Sequence, residues 1–146
     1  MTIPFIYDDG GRAAAGYRGE AGDCACRAIA IAAGLPYQDV YELLNRAAGR
    51  ERRKRGRSSA RNGVYRPTLK RVMAELGAEW TPTMSIGSGC TVHLRSDELP
   101  SGRLIVSLSR HVAAVIDGEL RDTSRCDRDG TRCVYGFWRV PWIGTA

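Results

Sequence analysis

No apolar stretch in this 146-residue chain approaches the ~18 residues of a membrane span, so no transmembrane helix is expected. The opening MTIPFIYDDGG has neither the basic start nor the apolar core of a secretory signal, and none is expected. Internal repeats are absent. So are paired C-x2-C knuckles, and no structural zinc site is expected. Lysine is scarce: of 22 basic residues only Lys54 and Lys70 are not arginine, a skew we attribute mainly to coding bias. Hydrophobic residues at 43% and charged residues at 26% are ordinary for a soluble domain, which argues against collagen, coiled coil, membrane protein and disordered chain. The length suits one domain over 1–146, large enough to bury a core.

The formal net charge of +6 is concentrated in one place. Arg50–Arg61 holds seven basic groups and Glu51, and basic and acidic residues balance elsewhere. The chain thus reads as a neutral domain with a basic loop at about 50–62. Arg52, Arg53, Lys54, Arg55 and Arg57 are the candidate contacts for a nucleic acid or an acidic protein partner. No aromatic residue is interleaved to stack on bases, which favours a solvated, extended loop instead. The five cysteines, Cys24, Cys26, Cys90, Cys126 and Cys133, are odd in number. Without a secretion signal they predict reduced thiols and a cytoplasmic protein.

Hydrophobic periodicity predicts helices over about Cys24–Ala33, Pro36/Tyr37–Ala48 and Pro67–Leu76, with Gly34, Gly49 and Gly77 as terminators. Asp23 is the expected N-cap of the first, its carboxylate accepting free amide hydrogens. Strands are expected at Ile3–Tyr7, Leu104–Leu108, His111–Ile116, Glu119–Thr123 and Cys133–Val140. Asp117-Gly118 suits a tight primed turn. Helices first and an antiparallel sheet second point to an α+β fold.

Cys24 falls in the first turn of a buried helix, where free N–H groups and the positive end of the helix dipole favour a thiolate. Cys26, about 200° further round, faces elsewhere. With Asp117-Gly118 as the turn, Ala113 faces Asp122, and His111 and Asp122 become diagonal neighbours on one face. A one-residue slip would separate them. Thiol, imidazole and carboxylate in this order form a nucleophile–base–orienter chain. His93 lies in a glycine-rich turn beside Cys90. It is a rival base or half a metal pair, but a structural role is expected because its context offers no nearby acid to orient it.

Gly22–Ala30 (GDCACRAIA), Arg110–Gly118 (RHVAAVIDG) and Arg121–Thr123 (RDT) together resemble the papain-like cysteine peptidase fold. More narrowly, nearly the whole chain resembles small phage and prophage proteins of no established function, through Tyr7–Gly16, Gly34–Asn45, Ile86–Arg95 and Thr131–Trp138. The resemblance implies helices, nucleophile helix first, packed on a C-terminal antiparallel sheet. It implies Cys24 as nucleophile, His111 as general base, Asp122 as orienting acid, and no metal or organic cofactor. The fold commonly carries a Gln a few residues before the nucleophile to help hold the oxyanion. Tyr17–Asp23 has none, and Arg18 is the cationic candidate in its place. Three functions follow as expectations. The first is a thiol hydrolase acting on an amide, isopeptide or ester bond of a protein or peptide, in the host cytoplasm if phage-encoded. The second is a catalytically idle scaffold that binds a host or virion protein, such as an anti-defence inhibitor. The third is nucleic-acid binding through the basic loop, and no membrane partner is expected.

Overall fold

A computed structural model describes residues 2–52 and 56–144. The element order is β1 (Phe5–Tyr7), α1 (Cys24–Ala33), α2 (Tyr37–Ala48), α3 (Arg66–Glu75), β2 (Glu79–Pro82), β3 (Arg103–Leu108), β4 (His111–Ile116), β5 (Glu119–Asp122) and β6 (Gly136–Arg139). The strands form one sheet in the order β1-β5-β4-β3-β6-β2, antiparallel throughout except for β1, which runs parallel to β5. The architecture is α+β: three helices and a six-stranded mixed open sheet. Among the described residues no helix is long and apolar enough to cross a membrane.

Strand alternation splits the core into two layers. Ile105, Val112, Ala114 and Trp138 meet the helices, packing with Ile29, Leu44, Leu69 and Met73. Leu104, Val106, Leu108, Ala113, Val115 and Leu120 face the other way. Ile3, Leu94, Leu99 and Val134, all outside the regular elements, cover that second face. α1 lies centrally against β4 and β3, and its alanines allow close approach. Arg103 on β3 fixes its C-terminal end, donating to the carbonyls of Ala32 (2.6 Å) and Ile31 (2.9 Å). Those carbonyls lack helical partners, so a guanidinium there satisfies them and suits the negative end of the dipole.

The β4–β5 hairpin has the expected register, pairing Ile116 with Glu119 and Ala114 with Arg121. Asp117 (φ 49°) and Gly118 (φ 78°) both lie in the left-handed region, as a type I′ turn requires. β2 was not expected. All four of its residues are exposed, so no buried stripe marks it. It joins through the stacking of Trp80 on Trp138, with ring centroids 4.5 Å apart. Gly136 makes this possible, because a Cβ there would lie 2.4 Å from the Trp80 ring.

Two expectations about polar residues are corrected. Asp23 precedes α1, but its carboxylate is drawn into ion pairs instead of capping the first turn. The five cysteines are not all free thiols: Cys90 and Cys133 form a disulfide, their Cα atoms 5.8 Å apart. The main chains of His93 and Cys133 bridge beside it. The link ties together the two loops that cover the second face of the sheet, and it removes Cys90 from any metal pair with His93.

Candidate active site

Cys24 is the first residue of α1 and His111 the first of β4, so the ends of two packed elements bring thiol and imidazole together. The ring stands between two partners. His111 Nε2 lies 2.7 Å from Asp122 Oδ2, and the ring lines the same cleft as the Cys24 thiol, near enough for each group to shift the other's protonation. The backbone amide of Val112 also favours a thiolate at that sulfur. Cys26, by contrast, is fully buried against the Tyr37 carbonyl, and burial pushes its thiol up to about 12.

Asp122 is 3% exposed, and its two oxygens have separate duties. Oδ2 faces His111, while Oδ1 accepts from the Thr123 amide (2.7 Å) and from Arg27 (3.2 Å). β1 braces it from the far side: Tyr7 pairs with Asp122, and the Asp8 amide donates to the Asp122 carbonyl at 3.0 Å. Arg27 also pairs with Asp23, which is 2% exposed and additionally bound by Arg12 (3.3 Å) and the Tyr37 hydroxyl (2.6 Å). A buried chain of charge therefore runs from Asp23 through Arg27 to the Asp122–His111 pair.

These contacts set the protonation states. Burial opposes a charged imidazole, but the Asp122 hydrogen bond, with those of Cys126 and Cys24, pushes His111 up to about 11. Burial likewise opposes a thiolate at Cys24, but His111, the Val112 amide and Arg27 outweigh it and hold the thiol below its ordinary value. Desolvation also resists the Asp122 carboxylate, yet His111, the Thr123 amide and Arg27 keep it below the usual carboxylate range. All three shifts favour a thiolate–imidazolium pair backed by a carboxylate.

The pair opens on a cleft of about 510 Å3 whose lining includes Gly22, Cys24, Asn62, Tyr65, Arg66, Arg110 and His111. Cys24 and His111 both line this cleft, and Asp122 is hydrogen-bonded to the ring from behind. Arg18 is exposed and is not among the described residues lining the cleft, and Arg61 donates to the carbonyls of Arg18 and Glu20 (3.1 Å each). In the basic loop, Arg52 and Arg57 are exposed, while Arg53, Lys54 and Arg55 lie outside the described residues. Glu51 is drawn in to accept from Ser58 and Thr68, so the loop is anchored at its start. His93 has an orienting acid after all: Glu98 Oε1 lies 3.1 Å from Nδ1. Both are partly exposed and apart from the cleft.

Arg27 and Cys126 had no assigned role in the sequence. Arg27 was detectable in principle as the one charged residue of α1, since a charge on a buried helix needs a partner. Cys126 gave no such signal. It reaches the triad from the loop after β5, with Sγ 3.7 Å from Asp122 Oδ2. His111, Asp122 and Cys126 present metal-ligating atoms within 4.8 Å of one another. They would hold an ion only by surrendering the His111–Asp122 hydrogen bond.

No family model matches the chain, and no curated protein or solved structure is significantly similar to it.

Proposed function

We propose that the protein is a papain-like thiol hydrolase of phage or prophage type, acting on an amide, isopeptide or ester bond. The observation that carries this reading is the imidazole of His111, held by a buried carboxylate on one side and lining the same open cleft as the Cys24 thiol. The Cys24 thiolate adds to the carbonyl carbon, forming a C–S bond while an electron pair moves onto the oxygen. The N-terminal amides of α1 are oriented to stabilise that oxyanion. Collapse breaks the C–N or C–O bond, and the imidazolium of His111 gives its proton to the leaving group. Water then attacks the thioester, passes a proton to His111, and releases the acid and the thiolate.

The test is p-nitrophenyl acetate, whose acyl group reports on both half-reactions. A burst of nitrophenol equal to the enzyme present is expected, with the acetyl group mapped to Cys24 by mass spectrometry. Cys24→Ala should lose the burst, and His111→Ala should slow deacylation by about 100-fold or more. Acetylation spread over Cys24 and Cys126 alike, with no turnover, would instead support an idle scaffold that binds a host or virion protein. The displacement of Arg18 from the cleft favours that second reading, since it leaves the oxyanion without the cationic donor.

A further inference from the structure

The cleft carries more positive charge than the thiolate–imidazolium pair needs. Four other charged residues line it: Asp23, Arg27, Arg66 and Arg110. Asp23 and Arg27 are consumed by each other and by Arg12, Tyr37 and Asp122. Arg66, at the start of α3, is different. Its Nη2 donates to the carbonyls of Leu108 (3.0 Å) and His111 (3.3 Å), which aim the guanidinium at the β3–β4 turn. Among the described residues it has no carboxylate partner. It lines the same cleft as Cys24. Arg110 stands in that turn, exposed, with φ 55° and likewise no ion pair among the described residues. Two guanidiniums without an ion pair among the described residues therefore border the cleft that holds Cys24, and the one acid in its described lining, Asp23, is already engaged.

We infer that the cleft selects acyl donors bearing a carboxylate close to the scissile carbonyl, bound by Arg66 and Arg110. A guanidinium presents a fork of donors that matches a carboxylate, and in a half-enclosed cleft the attraction is stronger than in bulk water. Neutral or basic donors would leave both charges without partners. This selectivity rests on the hydrolase reading.

The test is the rate of Cys24 alkylation by iodoacetate, an anion, relative to iodoacetamide, its neutral analogue, with modification mapped by mass. The ratio is taken within each variant, so a general change in thiol reactivity cancels. Arg66→Gln and Arg110→Asn should each lower the ratio by about fivefold. Arg66→Lys should restore most of it, and added salt should lower it in the wild type. Asn tolerates the left-handed backbone at 110, so that variant reads the charge even where Arg66→Gln folds poorly. A ratio unchanged in both variants, with iodoacetamide still choosing Cys24, overturns the selectivity and leaves the hydrolase reading standing. Iodoacetamide failing to choose Cys24 overturns both. Protection of Cys24 by acetyl-Ala-Glu-Ala-amide, or by acetyl-Ala-Ala-Ala with its free C-terminus, distinguishes a side-chain carboxylate from a chain end. Protection by neither beyond that of acetyl-Ala-Gln-Ala-amide counts against the inference.

Discussion

Two carboxylates at this site sit in similar burial and serve different ends. Asp23 is spent on Arg12, Arg27 and Tyr37, while Asp122 keeps one oxygen for His111. Asp122→Asn preserves shape and removes the charge that holds the imidazolium. Cys24 alkylation by iodoacetamide at neutral pH is expected to fall about tenfold, followed by mass-mapped labelling. Stability follows the same groups with opposite signs. The Asp122 carboxyl is held below its ordinary 3.8, so its contribution is present above that value and is lost as pH falls through the depressed one. His111 is raised from 6.5 to about 11, so its contribution is full below 6.5 and is lost as pH rises through about 11. Urea unfolding of wild type and Asp122→Asn should show a stability gap at pH 6 that narrows below pH ~3.8. A gap that does not change with pH would contradict an ionised Asp122.

At the scale of single elements, α1 does most to place Cys24, and it is held at both ends. Arg27 ties its first turn to the hairpin, and Arg103 ties its last turn to β3. Arg27→Met leaves two buried acids short of a partner, and a loss of about 3 kcal/mol is expected in chemical denaturation. A change below about 0.5 kcal/mol would mean the charge chain is not structural. Gly34 ends the helix at φ 71°, and a Cβ there would lie 2.3 Å from Trp142. Gly34→Ala is therefore expected to cost about 1–3 kcal/mol, read as a lowered Tm. The legible parts of the fold were those with local causes. The Asp117-Gly118 turn fixes the β4–β5 register, and with it the meeting of His111 and Asp122. Glycines after α1, α2 and α3 mark their ends. What escaped the sequence depends on distant partners. β2 is fully exposed and identified only by Trp138 across the sheet. Asp23 has the composition of a cap but is claimed by three donors from elsewhere. Arg18 lies shortly before Cys24 in sequence, yet it is exposed and not among the described residues lining the cleft.

Across the whole molecule, the two faces of the sheet are covered by different means. One face carries the helices, and the other is closed by loops bound through Cys90 and Cys133. In denaturant without reductant, three thiols (Cys24, Cys26 and Cys126) are expected to titrate, and five would show the link is not formed. A crosslink between residues 43 apart contributes about 2–4 kcal/mol in the chain-entropy view, so Cys90→Ser should lower stability by that order. The site lies at the junction of α1 with β4, and of the residues in those loops Cys126 reaches it, not the disulfide. Labelling of Cys24 should therefore survive the loss of the disulfide at temperatures where the variant stays folded.

The central claim is that Cys24 rests as a thiolate beside a protonated His111. The direct measurement is the pH dependence of iodoacetamide alkylation at Cys24 in wild type and His111→Ala. Wild-type rates should rise at a lower pH than those of an ordinary thiol, whose value is 9.0. In His111→Ala, burial acts on the thiol without its partner, and the rate should climb only near pH 9 and above. Superimposable profiles in the two proteins, both rising with an ordinary thiol titration, would contradict the pair.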